Sequence, residues 1–225
     1  MSRKRERETV KLKVKGLIID LDGTLVDSRE AYRAALTEAF TSMGIKNFNT
    51  KIALEIPRRL EQNKQIDDLI PEGSTEKFLS NYLKAYYTLT ESKSKALPGV
   101  SEILEELSKK ARLALLTMRY VPREKVMKEL EKFGLAKYFC CIVTALDTPF
   151  PKPSPEALKK CAQHISVKID ECAVVGDSVT DVKAGKKAGA KTVAVLTGIF
   201  SREELENEKP DLILESINEL PAFLR

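Results

Sequence analysis

Apolar residues along this chain fall into two periodicities. Short, nearly continuous runs rich in β-branched residues occur at GLIID (16–20), ARLALLT (111–117), CIVTA (141–145), CAVVG (172–176), KTVAVL (191–196) and DLILE (211–215). Runs of this length and uniformity mark strands covered on both faces, as in a parallel sheet. Between them the period lengthens to that of a helix. Val100, Ile103, Leu104 and Leu107 share a face of 98–110, and Leu158, Cys161 and Ile165 stripe 154–165. The segment 122–133 enters on a proline and stops before Gly134, the usual punctuation of a helix. The alternation predicts an α/β fold, a Rossmann-like doubly wound core with a mainly parallel sheet.

One interval breaks the rhythm. Beyond Thr117 the strands recur every 20 to 30 residues, but the first two are separated by far more than one crossover helix needs. Residues 28–97 show no convincing strand. They carry two helical stripes, Tyr32, Ala35, Leu36, Ala39, Phe40 and Met43, then Phe78, Leu79, Tyr82, Leu83 and Tyr86, the first closed by Gly44. The expectation is a discontinuous core, 1–27 and 98–225, with an inserted α-helical cap over 28–97 that can act as a lid.

Composition narrows the class. The chain has 225 residues, 43% apolar and 32% charged, which suits one soluble globular unit with a sizeable core. No apolar run reaches the length of a membrane span. The basic start, MSRKRERETVKLKVK, lacks the apolar stretch of a signal peptide and has no interleaved aromatics for stacking on bases. It reads as a solvated tail, and the chain as cytoplasmic, with neither membrane nor nucleic acid as a partner. Cys140, Cys141, Cys161 and Cys172 form no C-x-x-C pair and read as small buried hydrophobes in a reducing compartment. His164 has no ligand partners at useful spacing and reads as a structural or surface residue.

In a parallel α/β sheet, ligands bind beyond the carboxyl ends of the strands. There the first strand delivers Asp20 and Asp22, and the second Thr117, Met118 and Arg119. A proline-stiffened loop, PFPKPSP, delivers Lys152, and the fourth strand delivers Asp177 and Ser178, with Asp181 one turn on. Two acids at alternate positions share one side of an extended backbone and repel unless a cation intervenes. With Asp177 they make an oxygen-rich set suited to Mg²⁺, which would neutralise phosphate oxygens. Lys152 adds a compact positive charge, Thr117 a hydroxyl, and Gly23 a sharp turn after the acids. Ser178 and Asp181 also have the spacing of a helix capping box, and Asp181 can support Lys152 or the metal as well. Arg119 reads as a phosphate contact or a surface residue.

Assembled in order, these positions resemble the haloacid dehalogenase-like hydrolase superfamily, nearest its phosphoglycolate phosphatase and β-phosphoglucomutase branch. The carriers are DLDGTLVDS from Asp20 to Ser28, Leu116-Thr117, Pro151-Lys152-Pro153 and GDSVTD from Gly176 to Asp181. The resemblance implies that Asp20 attacks phosphorus to form an aspartyl-phosphate and that Asp22 serves as acid, then base. It implies Mg²⁺ on the Asp20 carboxylate, the Asp22 carbonyl and Asp177, with Thr117 and Lys152 on phosphate oxygens. The implied function is a Mg²⁺-dependent phosphatase acting on a small phosphorylated metabolite, as a monomer or homodimer. A phosphomutase would share these motifs. A phospho-receiver module would share Asp, Thr, Lys and Mg²⁺, but carries its acid on the third strand and would leave the helical insertion unexplained. Met118 and Arg119 depart from the residues common after the second motif, and Arg58 and Arg59 are candidates for contact with an anionic substrate.

Overall fold

The computed structural model describes residues 11–225, so the basic run expected to form a solvated tail lies largely outside the described residues. β1 (Gly16–Ile19) and the two-residue β2 (Val26–Asp27) lead into α1 (Arg29–Ser42), α2 (Glu55–Glu61) and α3 (Thr75–Lys93). β3 (Lys95–Ala96) returns the chain, followed by α4 (Val100–Lys110), β4 (Arg112–Leu116), α5 (Arg123–Lys132) and β5 (Phe139–Val143). Then come α6 (Glu156–His164), β6 (Cys172–Gly176), α7 (Val179–Ala188), β7 (Lys191–Val195), α8 (Arg202–Asn207) and β8 (Leu212–Leu214).

Six strands form a parallel sheet in the order β5-β4-β1-β6-β7-β8. The chain winds outward from β1 through β4 to β5, then jumps back to β6 on the other side of β1. That reversal creates a crevice at the carboxyl ends of β4, β1 and β6. Register completes the placement. Ile19 lies level with Leu115 on one side and Val175 on the other, so Asp20, Thr117 and Asp177 emerge together. The strands are apolar because helices cover both faces. Leu17 and Ile19 meet α4 residues such as Leu104 in one cluster, while Ile18 and Val174 meet Leu158 and Cys161 of α6 in another.

The inserted helices bury a cluster of their own, in which α1 and α3 pack through Phe40, Phe78, Tyr82 and Tyr86. Contrary to the expectation of no strand in 28–97, Lys95–Ala96 pairs antiparallel with Val26–Asp27. Two exposed residues carry no apolar pattern, and this pairing is made by backbone geometry alone. It sets the entry and exit of the insertion side by side. The strand read at 141–145 runs instead from Phe139 to Val143. Thr144 and Asp147 form a capping box that opens a short 3-10 turn and ends it early. Cys161 and Cys172 are buried and Cys140 is exposed, against the reading of all four as buried; none of the four is in a disulfide.

Candidate active site

Asp20 is the first residue past β1, and its amide still donates to Val175 O, 2.9 Å away. Its Oδ1 accepts from Lys152 Nζ at 2.6 Å, and the same ammonium donates to Asp181 Oδ1 at 2.7 Å. All three side chains are buried. Asp181 uses its other oxygen as the α7 capping box, accepting from Ser178 N at 3.2 Å and Ser178 Oγ at 2.7 Å. The capping contacts and the contact with Lys152 therefore sit on different oxygens of one carboxylate.

Asp177 enters from the end of β6. Its carboxylate has only long contacts, from Thr24 Oγ1 at 3.5 Å and Ile199 N at 3.4 Å. Gly23 and Gly198 make its space: a Cβ on Gly23 would lie 2.5 Å from Asp177 Oδ2, and one on Gly198 1.6 Å from it. Gly23 also adopts φ of +78°, which few other residues tolerate. Burial, then Glu61 and Asp20, raises the Asp177 carboxyl above the carboxylate range. Burial likewise pushes Asp20 up to about 7, against the pull of Lys152. Oxygens of Asp20, Asp177 and Asp181 lie within 4.8 Å of one another, with one ammonium among three carboxylates. Those of Asp181 are already taken, so Asp20 and Asp177 have free capacity. A donor set of carboxylate oxygens carrying excess negative charge fits a hard divalent cation.

Asp22 lies in different company. Arg119 grips it with two donors, Nε to Oδ2 at 2.8 Å and Nη2 to Oδ1 at 2.7 Å, and Ser28 Oγ donates to Oδ1. Burial alone would raise the Asp22 carboxyl, but the Arg119 charge and these hydrogen bonds bring it below its ordinary value. Arg119 was expected at a phosphate or on the surface. It is 4% exposed, and its remaining donors run to Glu129 of α5. Its guanidinium also lies 5.9 Å from the centre of the Tyr86 ring of α3. Thr117 is buried at the end of β4, and its Oγ1 accepts from Arg119 N at 3.2 Å. Asp27, by contrast, is a turn acid, accepting from Arg29 N, Nε and Nη2.

Arg58 and Arg59 are engaged elsewhere. Arg58 pairs with Glu55 and with Glu204 of α8, and Arg59 with Glu55 and Asp68. Residues not singled out from sequence also line the site. Thr197 Oγ1 donates to Gly23 O at 2.5 Å, and Thr197 and Gly198 follow β7, so the strand-end rule extended by one strand would have reached them. Glu129 lies between Val126 and Leu130 on the buried face of α5, and an acid on an apolar stripe was its visible sign. Glu61, at the end of α2, had no such sign.

A family model described as haloacid dehalogenase-like hydrolase matches residues 17–195. A pyrophosphatase PpaX of Halalkalibacterium halodurans is 30% identical over 93% of this chain and 96% of its own length. A phosphoglycolate phosphatase of Vibrio parahaemolyticus is 30% identical over 92% and 94%. Among solved structures, a haloacid dehalogenase-like family hydrolase from Streptococcus pneumoniae superposes with a TM-score of 0.81 at 21% identity. That match covers 94% of this chain and 98% of the other, and shows the shared fold.

Proposed function

The chain belongs to the haloacid dehalogenase-like hydrolase family, and we propose that it is a Mg²⁺-dependent phosphatase of small phosphorylated metabolites that works through Asp20. The observation that supports this most is the meeting of Asp20, Thr117, Lys152 and Asp177 in one buried crevice where the sheet order reverses.

Asp20 and Asp177 would hold the cation, which would draw off charge from the phosphate oxygens. Asp20 Oδ2, which accepts nothing from Lys152, attacks phosphorus as the bond to the leaving oxygen breaks. Asp22, a carboxylate in the Arg119 fork, takes up a proton from solvent as substrate binds and delivers it to that oxygen. It then takes one from the water that attacks the aspartyl-phosphate, releasing phosphate and restoring Asp20. Lys152 keeps Asp20 in place and faces the phosphate oxygens, and the Thr117 hydroxyl hydrogen is directed to the same group. Asp181 positions Lys152, Gly23 and Gly198 leave room for Asp177, and Arg119 orients Asp22. The inserted helices act as the cap that closes over the leaving group.

The test is release of inorganic phosphate from p-nitrophenyl phosphate with Mg²⁺ and with EDTA. Activity is expected only with the metal, and Asp20→Asn should lower it by about a thousandfold or more. Full metal-dependent activity in Asp20→Asn would refute the mechanism. Phosphate transfer to a sugar in place of water would identify a mutase.

A further inference from the structure

Among the described residues, two enclosed side-chain polar atoms have no hydrogen-bond partner, Glu61 Oε2 and the Tyr82 hydroxyl. They come from different helices, Glu61 from the end of α2 and Tyr82 from the middle of α3. Both line one cavity of about 100 Å³ that also reaches Asp22. An enclosed polar group without a partner is costly, and such groups are rare enough to require a reason. Two of them on residues that line one small cavity beside Asp22 would be accounted for by a ligand that enters as the inserted helices shift and supplies the missing bonds.

The walls say what kind of ligand. Tyr32, Tyr86, Leu60 and Met118 provide largely apolar surface. Arg119 is the single cation among the cavity's lining residues, and its donors run to two carboxylates, Asp22 and Glu129. Arg58 and Arg59 do not line the cavity and are paired with acids. Glu61 also lies in the field of Asp20, Asp181 and Asp22, which the Lys152 charge offsets only in part. An anionic group placed here would meet several carboxylates and no uncommitted cation, which works against it. A hydroxyl or ammonium would donate to Glu61 Oε2, and the Tyr82 hydroxyl can either donate or accept. The modest volume favours a small guest.

Resting on the phosphatase reading, we propose that this cavity receives the leaving group and selects a small, non-anionic alcohol bearing hydrogen-bond donors, with Glu61 and Tyr82 as the specificity-determining residues. The substrate class is the phosphate monoester of a short polyol or amino alcohol. The two relatives are named for pyrophosphate and phosphoglycolate, whose leaving groups are anions; their substrates would be poorly received here.

The test compares kcat/KM for glycerol phosphate, phosphoethanolamine, phosphoglycolate and pyrophosphate, with p-nitrophenyl phosphate as a general phosphatase probe. Wild-type enzyme should favour glycerol phosphate or phosphoethanolamine over both anionic leaving groups by about tenfold or more. Which of those two it favours separates a hydroxyl guest from an ammonium guest. Glu61→Lys should reverse the preference toward phosphoglycolate. Tyr82→Phe, which keeps the ring and its packing, should raise KM for the favoured ester by about tenfold. A wild-type preference for phosphoglycolate or pyrophosphate overturns the inference while leaving the phosphatase reading intact. So does a non-anionic preference that neither variant changes. Absence of turnover of every ester, p-nitrophenyl phosphate included, overturns both.

Discussion

Asp20 and Asp22 stand two residues apart, and each lies against one cation that a second carboxylate shares. Lys152 sits between Asp20 and Asp181, and Arg119 between Asp22 and Glu129. The arrangements look alike and behave differently. One ammonium divided between two acids contacts a single oxygen of Asp20 and leaves the other open. Asp177 and Asp181 lie close by, and burial pushes the Asp20 carboxyl up to about 7. The guanidinium instead covers both oxygens of Asp22, Ser28 adds a donor, and the carboxyl falls below its ordinary range despite burial. A point charge leaves a carboxylate able to take a ligand, whereas a fork saturates and orients it. The first suits a nucleophile and metal ligand, the second a group that must be held in one orientation to move a proton.

Removing the cations is the strongest way to break this comparison. Lys152→Met and Arg119→Met each leave two enclosed carboxylates without their cation, and each should lose about 3–5 kcal/mol in urea denaturation. Mg²⁺ should then separate them. Around Lys152 the three carboxylates lie within 4.8 Å of one another, so the metal should stabilise Lys152→Met more than it does wild type. Arg119→Met should gain no more than wild type does. Equal gains in the two variants would show that the clusters are not distinct.

The pH dependence of stability is a smaller and sharper test. Burial raises Asp20 to about 7 and Glu61 to about 8, and raises Asp177 as well. The folded protein therefore keeps protons that the unfolded chain releases near pH 4. The stability these groups contribute is full below that pH and is lost as pH rises through 7 to 8. Asp22 is lowered, so its contribution is present above about pH 4 and is lost only in stronger acid. In EDTA, stability should fall continuously from about pH 5 to 8. Asp20→Asn should remove part of that slope. Mg²⁺ should offset it, because its ligands bind as carboxylates. A slope that Asp20→Asn leaves unchanged would assign it elsewhere.

What the chain reveals by pattern follows the same division. Asp20, Thr117, Lys152 and Asp177 were legible because strand periodicity locates strand ends and sheet topology brings those ends together. The Asp22 cluster was not. Where Arg119 points depends on the turn after β4, which carries no periodic signal, and its partners lie 97 residues back and 10 residues on. Glu129 was half visible, as an acid on an apolar face. Glu61 and Tyr82 became meaningful only once the inserted helices were seen over the crevice. α2 is short and charged, with Pro57 in its first turn, so its sequence gives only a weak helical signal. The pairing of Lys95–Ala96 with Val26–Asp27 rests on two residues and has no hydrophobic trace at all.

The finest test of the comparison keeps the charge of Arg119 and removes its fork. In Arg119→Lys the ammonium still neutralises Asp22 or Glu129, but cannot cover both Asp22 oxygens while also reaching Glu129. Asp22 should turn more freely, and proton transfer should suffer while phosphate binding does not. The expected result is a loss of about tenfold in kcat with KM for glycerol phosphate nearly unchanged, and about 1–2 kcal/mol of stability. If Arg119 instead held the substrate's phosphate, the same change would appear chiefly as a higher KM. Glu129→Gln provides the control on direction. It leaves the charge of Arg119 to Asp22 while keeping an acceptor at position 129, so kcat should move less than in Arg119→Lys. A larger kcat loss in Glu129→Gln would mean that Arg119 is held in place for Asp22 mainly by Glu129, and that the second carboxylate, more than the fork, sets the difference between the two sites.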